Sequence, residues 1–187
     1  MKQKPRPSNE PIMTPWLITR YCLTGLYVGI ATVGIFVSHY LNRGVSLSEL
    51  SNWGKCGDFW FKWDKSCNDL FTGHGRMLPQ TLSLTTLVCM EMLKALSAVS
   101  VDNSLLSVGP HRNPLLILGV AVPMMLHLLV VYSSNIGLKS LGESFGMVSL
   151  SKENWISIFR WSAPILIVEE VLKAIGRKVN KMEQEQD

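Results

Sequence analysis

Apolar positions in this chain gather into long unbroken blocks, not into the alternating or one-faced patterns of a soluble domain. Tyr21 to Val37 carries no charge, and it lies within Trp16 to Tyr40, a segment long enough for the roughly 20 residues that cross a bilayer core as a helix. Three further segments approach that length: Thr81 to Val101, Leu115 to Ser134 and Trp155 to Ile175. They are less uniform, because the second holds Glu91 and Lys94, the third His127 and the fourth Arg160. The pattern predicts an all-α membrane protein, a four-helix transmembrane bundle with a lumenal loop between Asn42 and Gln80. Residues 1–15 read as a cytosolic lead, 16–175 as the transmembrane domain and 176–187 as a cytosolic tail. No cleavable secretory signal is expected, since Met1 to Thr14 is polar and the apolar run after it is long enough to stay as an anchor.

Composition supports the membrane setting. Of 187 residues, 47% are hydrophobic and only 17% charged, and the mean hydropathy is +0.20, which excludes an ordinary soluble domain. The net charge of +4 reads as orientation and not as nucleic-acid binding, because no basic face interleaved with base-stacking aromatics is visible. Lys2, Lys4 and Arg6 precede the first segment, Arg112 lies in the second connection, and Arg177, Lys178 and Lys181 follow the last. These regions are expected to share the cytosolic side. The Asn42 to Gln80 loop mixes its basic residues with Glu49, Asp58, Asp64 and Asp69, so the orientation rests on the chain ends. Cys56 and Cys67 share that loop, and an oxidising lumen would permit a disulfide between them. Cys22 and Cys89 fall within helices and read as small packing residues. A zinc site is disfavoured, since the loop cysteines are widely spaced and His74 is the one nearby imidazole.

Glu91 is the strongest pointer to chemistry. It sits in Leu84-Thr85-Thr86-Leu87-Val88-Cys89-Met90-Glu91-Met92-Leu93, and a carboxylate at that depth marks an ion path by default. The plainer alternative is a structural pair with Lys94 at helical i to i+3 spacing. In the first helix Gly25 and Gly29 form a small-xxx-small face that would let another helix approach closely. Pro123 and Pro164 each interrupt an expected helix, as kinks whose freed carbonyls neighbours would satisfy.

Several runs carry a family resemblance. Lys4-Pro5-Arg6-Pro7, Thr14-Pro15-Trp16-Leu17, Arg20-Tyr21 and Gly25-Leu26-Tyr27-Val28-Gly29-Ile30-Ala31-Thr32-Val33-Gly34 resemble the loop and seventh transmembrane helix of sarco/endoplasmic-reticulum-type calcium pumps. Leu87-Val88-Cys89-Met90-Glu91-Met92, Ala95-Leu96 and Asn103-Ser104-Leu105-Leu106 resemble the eighth helix and its cytosolic exit. Leu126-His127 to Tyr132 is similar to the ninth helix, and Trp155, Pro164-Ile165, Glu170 and Leu172-Lys173 to Arg177 to the tenth. The resemblance covers nearly the whole chain.

It implies the carboxy-terminal transmembrane quarter of a P-type calcium-transporting ATPase, in the endoplasmic or sarcoplasmic reticulum, with the lipid bilayer and the pump's remaining helices and cytosolic domains as partners. Glu91 matches the eighth-helix carboxylate that such pumps use at one calcium site, a chemistry suited to calcium's preference for oxygen ligands. ATP and magnesium would belong only to a complete pump: no Asp-Lys-Thr-Gly-Thr phosphorylation sequence occurs here, and the chain alone is expected not to hydrolyse ATP. One departure is Lys94, where the family commonly has an amide; its ammonium would either compete for the cation's space or snorkel to the cytosolic end. Two other readings stay open. One is an autonomous small membrane protein that packs against or regulates a transporter through Gly25 and Gly29. The other, on Glu169-Glu170, Arg177 and His127, is a poorer match to glutamate-dependent intramembrane proteases.

Overall fold

The computed structural model describes residues 14–55, 70–98 and 114–184, and within them every regular element is helical. In chain order these are α1 (Pro15–Asn42), α2 (Leu47–Ser51), α3 (His74–Ser97), α4 (Pro114–Val131), α5 (Lys139–Phe145), α6 (Lys152–Ser162) and α7 (Pro164–Gln184). Short 3-10 turns occupy Trp53–Lys55 and Ser133–Ile136.

Local chemistry explains where α1 begins and ends. The Thr14 hydroxyl accepts from the Leu17 amide at 3.3 Å, and Pro15 stands at the first helical position, where its missing N–H costs nothing. Beyond Asn42 the chain reverses at Gly44, whose φ of 75° suits glycine. Ser46 and Glu49 then cap α2 reciprocally: the Glu49 amide donates to the Ser46 hydroxyl, and the Ser46 amide donates to the Glu49 carboxylate.

The distribution of side chains is that of a protein in hydrocarbon. On α1 the buried positions Thr24, Val28, Ala31 and Ile35 follow helical spacing, while Leu26, Ile30 and Val33 on other faces are each more than half exposed. Thr81, Thr85, Thr86, Ser133, Ser162, Glu169 and Lys173 lie inside. Water would favour the reverse arrangement; a bilayer favours this one. Among the described residues two helices, α1 and α4, are long and apolar enough to cross a membrane by length and composition.

Helix α3 lies among the others, packed against α1, α4, α6 and α7. Ile35, Leu82, Cys89, Val131, Leu150 and Ile158 form one buried cluster. Val28, Ala31, Met90 and Ile165 form a second, and Tyr40, Val45 and Leu70 a third. The Tyr40 hydroxyl in that last cluster donates to the Leu70 carbonyl at 3.2 Å, joining the end of α1 to the chain before α3.

Three expected spans differ from what is observed. Residues 155–175 were expected as a single span, but they fall in two helices that part at Ala163–Pro164. Pro164 has no N–H to give the Arg160 carbonyl, so the ladder breaks there. Tyr27 on α1 braces the break by donating to the Trp161 carbonyl at 2.9 Å. At the second span, α3 starts at His74, seven residues before the expected Thr81, and takes Pro79 into its interior. The third, α4, carries Pro123 without interruption and stops at Val131, where a 3-10 turn follows. The cysteine pair Cys56 and Cys67 lies outside the described residues; Cys22 and Cys89 are free thiols, exposed and buried respectively.

Gly34 sets how closely α1 and α6 approach. A β-carbon there would lie 2.6 Å from the Trp161 ring, whereas at Gly29 it would meet nothing within 4 Å. Gly34→Val is expected to destabilise the chain by about 1–3 kcal/mol, the usual penalty for overpacking. Gly29→Val should leave the isolated chain's stability nearly unchanged. Thermal unfolding of both variants in the same detergent checks the pair.

Candidate functional site

Glu91 lies in the last two turns of α3, on its outward side, with its side chain 46% exposed. The neighbour before it, Met90, is fully buried against Val28, Ala31 and Ile165, so the edge of the buried face of α3 runs between the two residues. Lys94 follows at i+3, and its Nζ donates to both carboxylate oxygens, at 3.1 and 3.3 Å. The pair is therefore local to one helix. Among the described residues no three His, Cys, Asp or Glu side chains gather in a way that would hold a metal ion. Glu91 offers two oxygens, against the about six to eight that calcium takes.

Gly25 and Gly29 are exposed on α1, and nothing lies within 4 Å of a β-carbon added at either. No helix of the described chain covers this small-residue face. On another face of α1, Leu23, Leu26, Tyr27 and Ile30, with Ile167, Val168, Val171 and Leu172 from α7, line a shallow apolar groove of about 410 Å³.

Residues that the sequence offered only in other connections, Glu169, Arg20 and Lys173, form a buried charge cluster among the described residues. On α7, Ile165, Glu169, Leu172, Lys173 and Gly176 are buried, at i, i+4, i+7, i+8 and i+11. The inward stripe of this helix thus carries two charges. Arg20 on α1 donates to Glu169 Oε2 at 2.7 Å, and the Thr24 hydroxyl, one turn further along α1, donates to Oε1 at 3.1 Å. Both oxygens of Glu169 are thereby engaged from α1. Lys173, 1% exposed, donates to the backbone carbonyl of Ser97 at 2.6 Å and lies 3.8 Å from the Glu170 carboxylate. The signal that would have found the cluster is the helical spacing itself, since Glu169 and Lys173 share a face with Ile165, Leu172 and Gly176.

The same contacts bear on the intramembrane-protease resemblance. Glu169 is engaged by Arg20 and Thr24, while His127 on α4 shares a 3.0 Å hydrogen bond with Thr85 on α3. Nothing in this arrangement joins histidine and carboxylate in one site.

The family model described as cation transporting ATPase, C-terminus, matches residues 1–175. Among curated proteins the chain is 36% identical over 203 residues to calcium-transporting ATPase 4, endoplasmic reticulum-type, of Arabidopsis thaliana, a match covering 95% of this chain and 19% of that protein. It is 35% identical over 206 residues to calcium-transporting ATPase 2, endoplasmic reticulum-type, of the same plant, with the same coverage of 95% and 19%. A calcium-transporting ATPase of Plasmodium falciparum is 35% identical over 199 residues, covering 98% of this chain and 16% of that protein. The chain spans about a fifth of the length of these relatives, 16–19%.

Arg20 and Glu169, with side chains 12% and 8% exposed, should behave as a unit. Arg20→Met alone leaves a buried carboxylate without its cation and is expected to cost about 3–5 kcal/mol. Arg20→Met combined with Glu169→Leu should recover most of that loss. A double-mutant cycle measured by unfolding in mixed micelles gives the coupling, and additive single losses would show the two charges to be independent.

Proposed function

The chain belongs to the family of cation-transporting ATPase C-termini, and on that premise we propose that it serves as the last membrane-embedded part of a calcium-transporting P-type pump of the endoplasmic reticulum. Glu91 contributes one carboxylate to a cation site whose other oxygens come from elsewhere in the pump. Calcium is the cargo in this reading. ATP and magnesium act in the pump's cytosolic domains.

The observation that carries the reading is the outward-facing Glu91 on an otherwise apolar length of α3. A bundle complete in itself would turn such a group inward, as it does Glu169. The face around Gly25 and Gly29 is open in the same way, and we assign it to a helix of the remaining pump, where small residues let two backbones approach. In this reading α1, α3 and α4 each cross the bilayer, and α6 with α7 crosses it as a kinked fourth span. Basic residues near both ends support a cytosolic location for them, and in this reading residues 43–73 face the lumen. There Cys56 and Cys67 form a disulfide.

Lys94 tunes the carboxylate. While its ammonium bonds both oxygens of Glu91, the carboxylate is neutralised without a cation. Entry of calcium requires Lys94 to swing toward the cytosolic end, which a long flexible side chain in the last turn permits.

Two outcomes test this reading. Calcium titration of the isolated chain in detergent is expected to show no micromolar site, and in the assembled pump Glu91→Gln should weaken calcium binding by at least about tenfold. Micromolar binding by the isolated chain that Glu91→Gln abolishes would overturn the shared-site reading. Nonreducing peptide mapping of freshly prepared membranes should recover Cys56 and Cys67 in one linked peptide; two alkylatable thiols there would contradict the lumenal placement of the loop.

A further inference from the structure

The carbonyl end of α3 is closed by a side chain from another helix. The last four carbonyls of an α-helix have no partner within it and carry the negative end of its dipole. Ser97 is the final residue of α3, and Lys173 from α7 donates to its carbonyl at 2.6 Å from a fully buried position. An ammonium complements that helix end in both hydrogen bonding and charge. Glu170, one turn before Lys173 on α7, stands 3.8 Å from the same ammonium.

The helix that supplies Lys173 is itself held at a fixed height. Glu169, one turn earlier, takes Arg20 on one oxygen and Thr24 on the other, so α7 is pinned to two successive turns of α1. The end of α3 is thus tied to α1 through two buried polar contacts on one face of α7. Ser97 follows Glu91 by six residues, about 9 Å along the helix axis. If α3 slides or frays at this end, Glu91 moves with it.

We infer that Lys173 is a positioning residue, an ammonium latch that seals the end of α3 and, through Glu169, Arg20 and Thr24, sets the height of Glu91 against α1. The inference rests on the reading of Glu91 as a cation ligand. A ligating group must be held to about 0.5 Å by the contacts behind it, and Lys94 cannot do this because it rides on the same helix. Lys173 can, because it reaches α3 from outside.

The test places spin labels on non-native amino acids at Ala98 and Leu41, both exposed and near opposite ends of the bundle, in the full chain in phosphatidylcholine nanodiscs. Lys173→Met is expected to shift or broaden the distance distribution by a sizeable part of the about 5.4 Å rise of one helical turn. A distribution matching the native one would overturn the latch. Glu169→Gln, which keeps the shape of the α1 contact and removes its charge, is the second variant if Lys173→Met is not recovered folded, and it must move the same distance for the inference to hold. In the assembled pump, Lys173→Met should lower apparent calcium affinity by about tenfold, the usual effect of losing a contact that supports a metal ligand, while turnover at saturating calcium is kept. Lost turnover with unchanged affinity would overturn a positioning role. Should Glu91→Gln leave calcium affinity untouched, the reading of Glu91 fails by itself, and the label distances still judge the Lys173 contact.

Discussion

A polar group in hydrocarbon has no water to bond, so a membrane-embedded chain gains stability by pairing its polar groups inside the protein. The packing of this chain follows from where those partners are. Thr85 on α3 meets His127 on α4, and Ser83 on α3 donates to the Thr32 carbonyl of α1. Tyr27 on α1 reaches the Trp161 carbonyl of α6. Trp155 donates to the Tyr132 hydroxyl at 2.7 Å, which in turn donates to the Leu150 carbonyl. Each contact joins segments that a lipid-driven hydrophobic effect would not bring together, because lipid tails are as apolar as leucine. Close packing then completes what the hydrogen bonds align, as where Trp161 lies against Gly34 and Trp16 against Gly176.

Much of this organisation was legible in the sequence, and the parts that were not share a cause. The first and third apolar blocks announced α1 and α4 because their apolar character runs all round the helix, a signal that needs no knowledge of neighbours. Glu91 stood out for the same reason, as an isolated charge in an apolar run. Lys173 did not, and Glu169 stood out only as half of a Glu169-Glu170 pair, because α7 is dense with charge: Glu170, Arg177 and Lys178 stand near them. Only the helical register separates inward charges from outward ones. The break at Pro164 was legible as a kink but not as the division of a span, since a proline's effect depends on whether a neighbour such as Tyr27 braces the carbonyls it frees. The early start of α3 had no apolar run to mark it, because residues 74–80 are mixed in polarity and include Pro79, which lies inside the helix.

The two carboxylates at this end of the molecule have different physical standing. Glu169 is buried and bonded through both oxygens to a neighbouring helix. Removing Arg20 would strand it, and the desolvation of an unpaired carboxylate is far larger than any local compensation. That pair fixes structure. Glu91 is paired within its own helix, by an ammonium on a long flexible side chain. Such a partner can swing away without moving a helix, whereas the Arg20 contact joins α1 to α7. Under the reading of Glu91 as a cation ligand, Lys94 is the exchangeable partner beside it, and Lys173, reaching α3 from another helix, belongs to the fixed frame behind it.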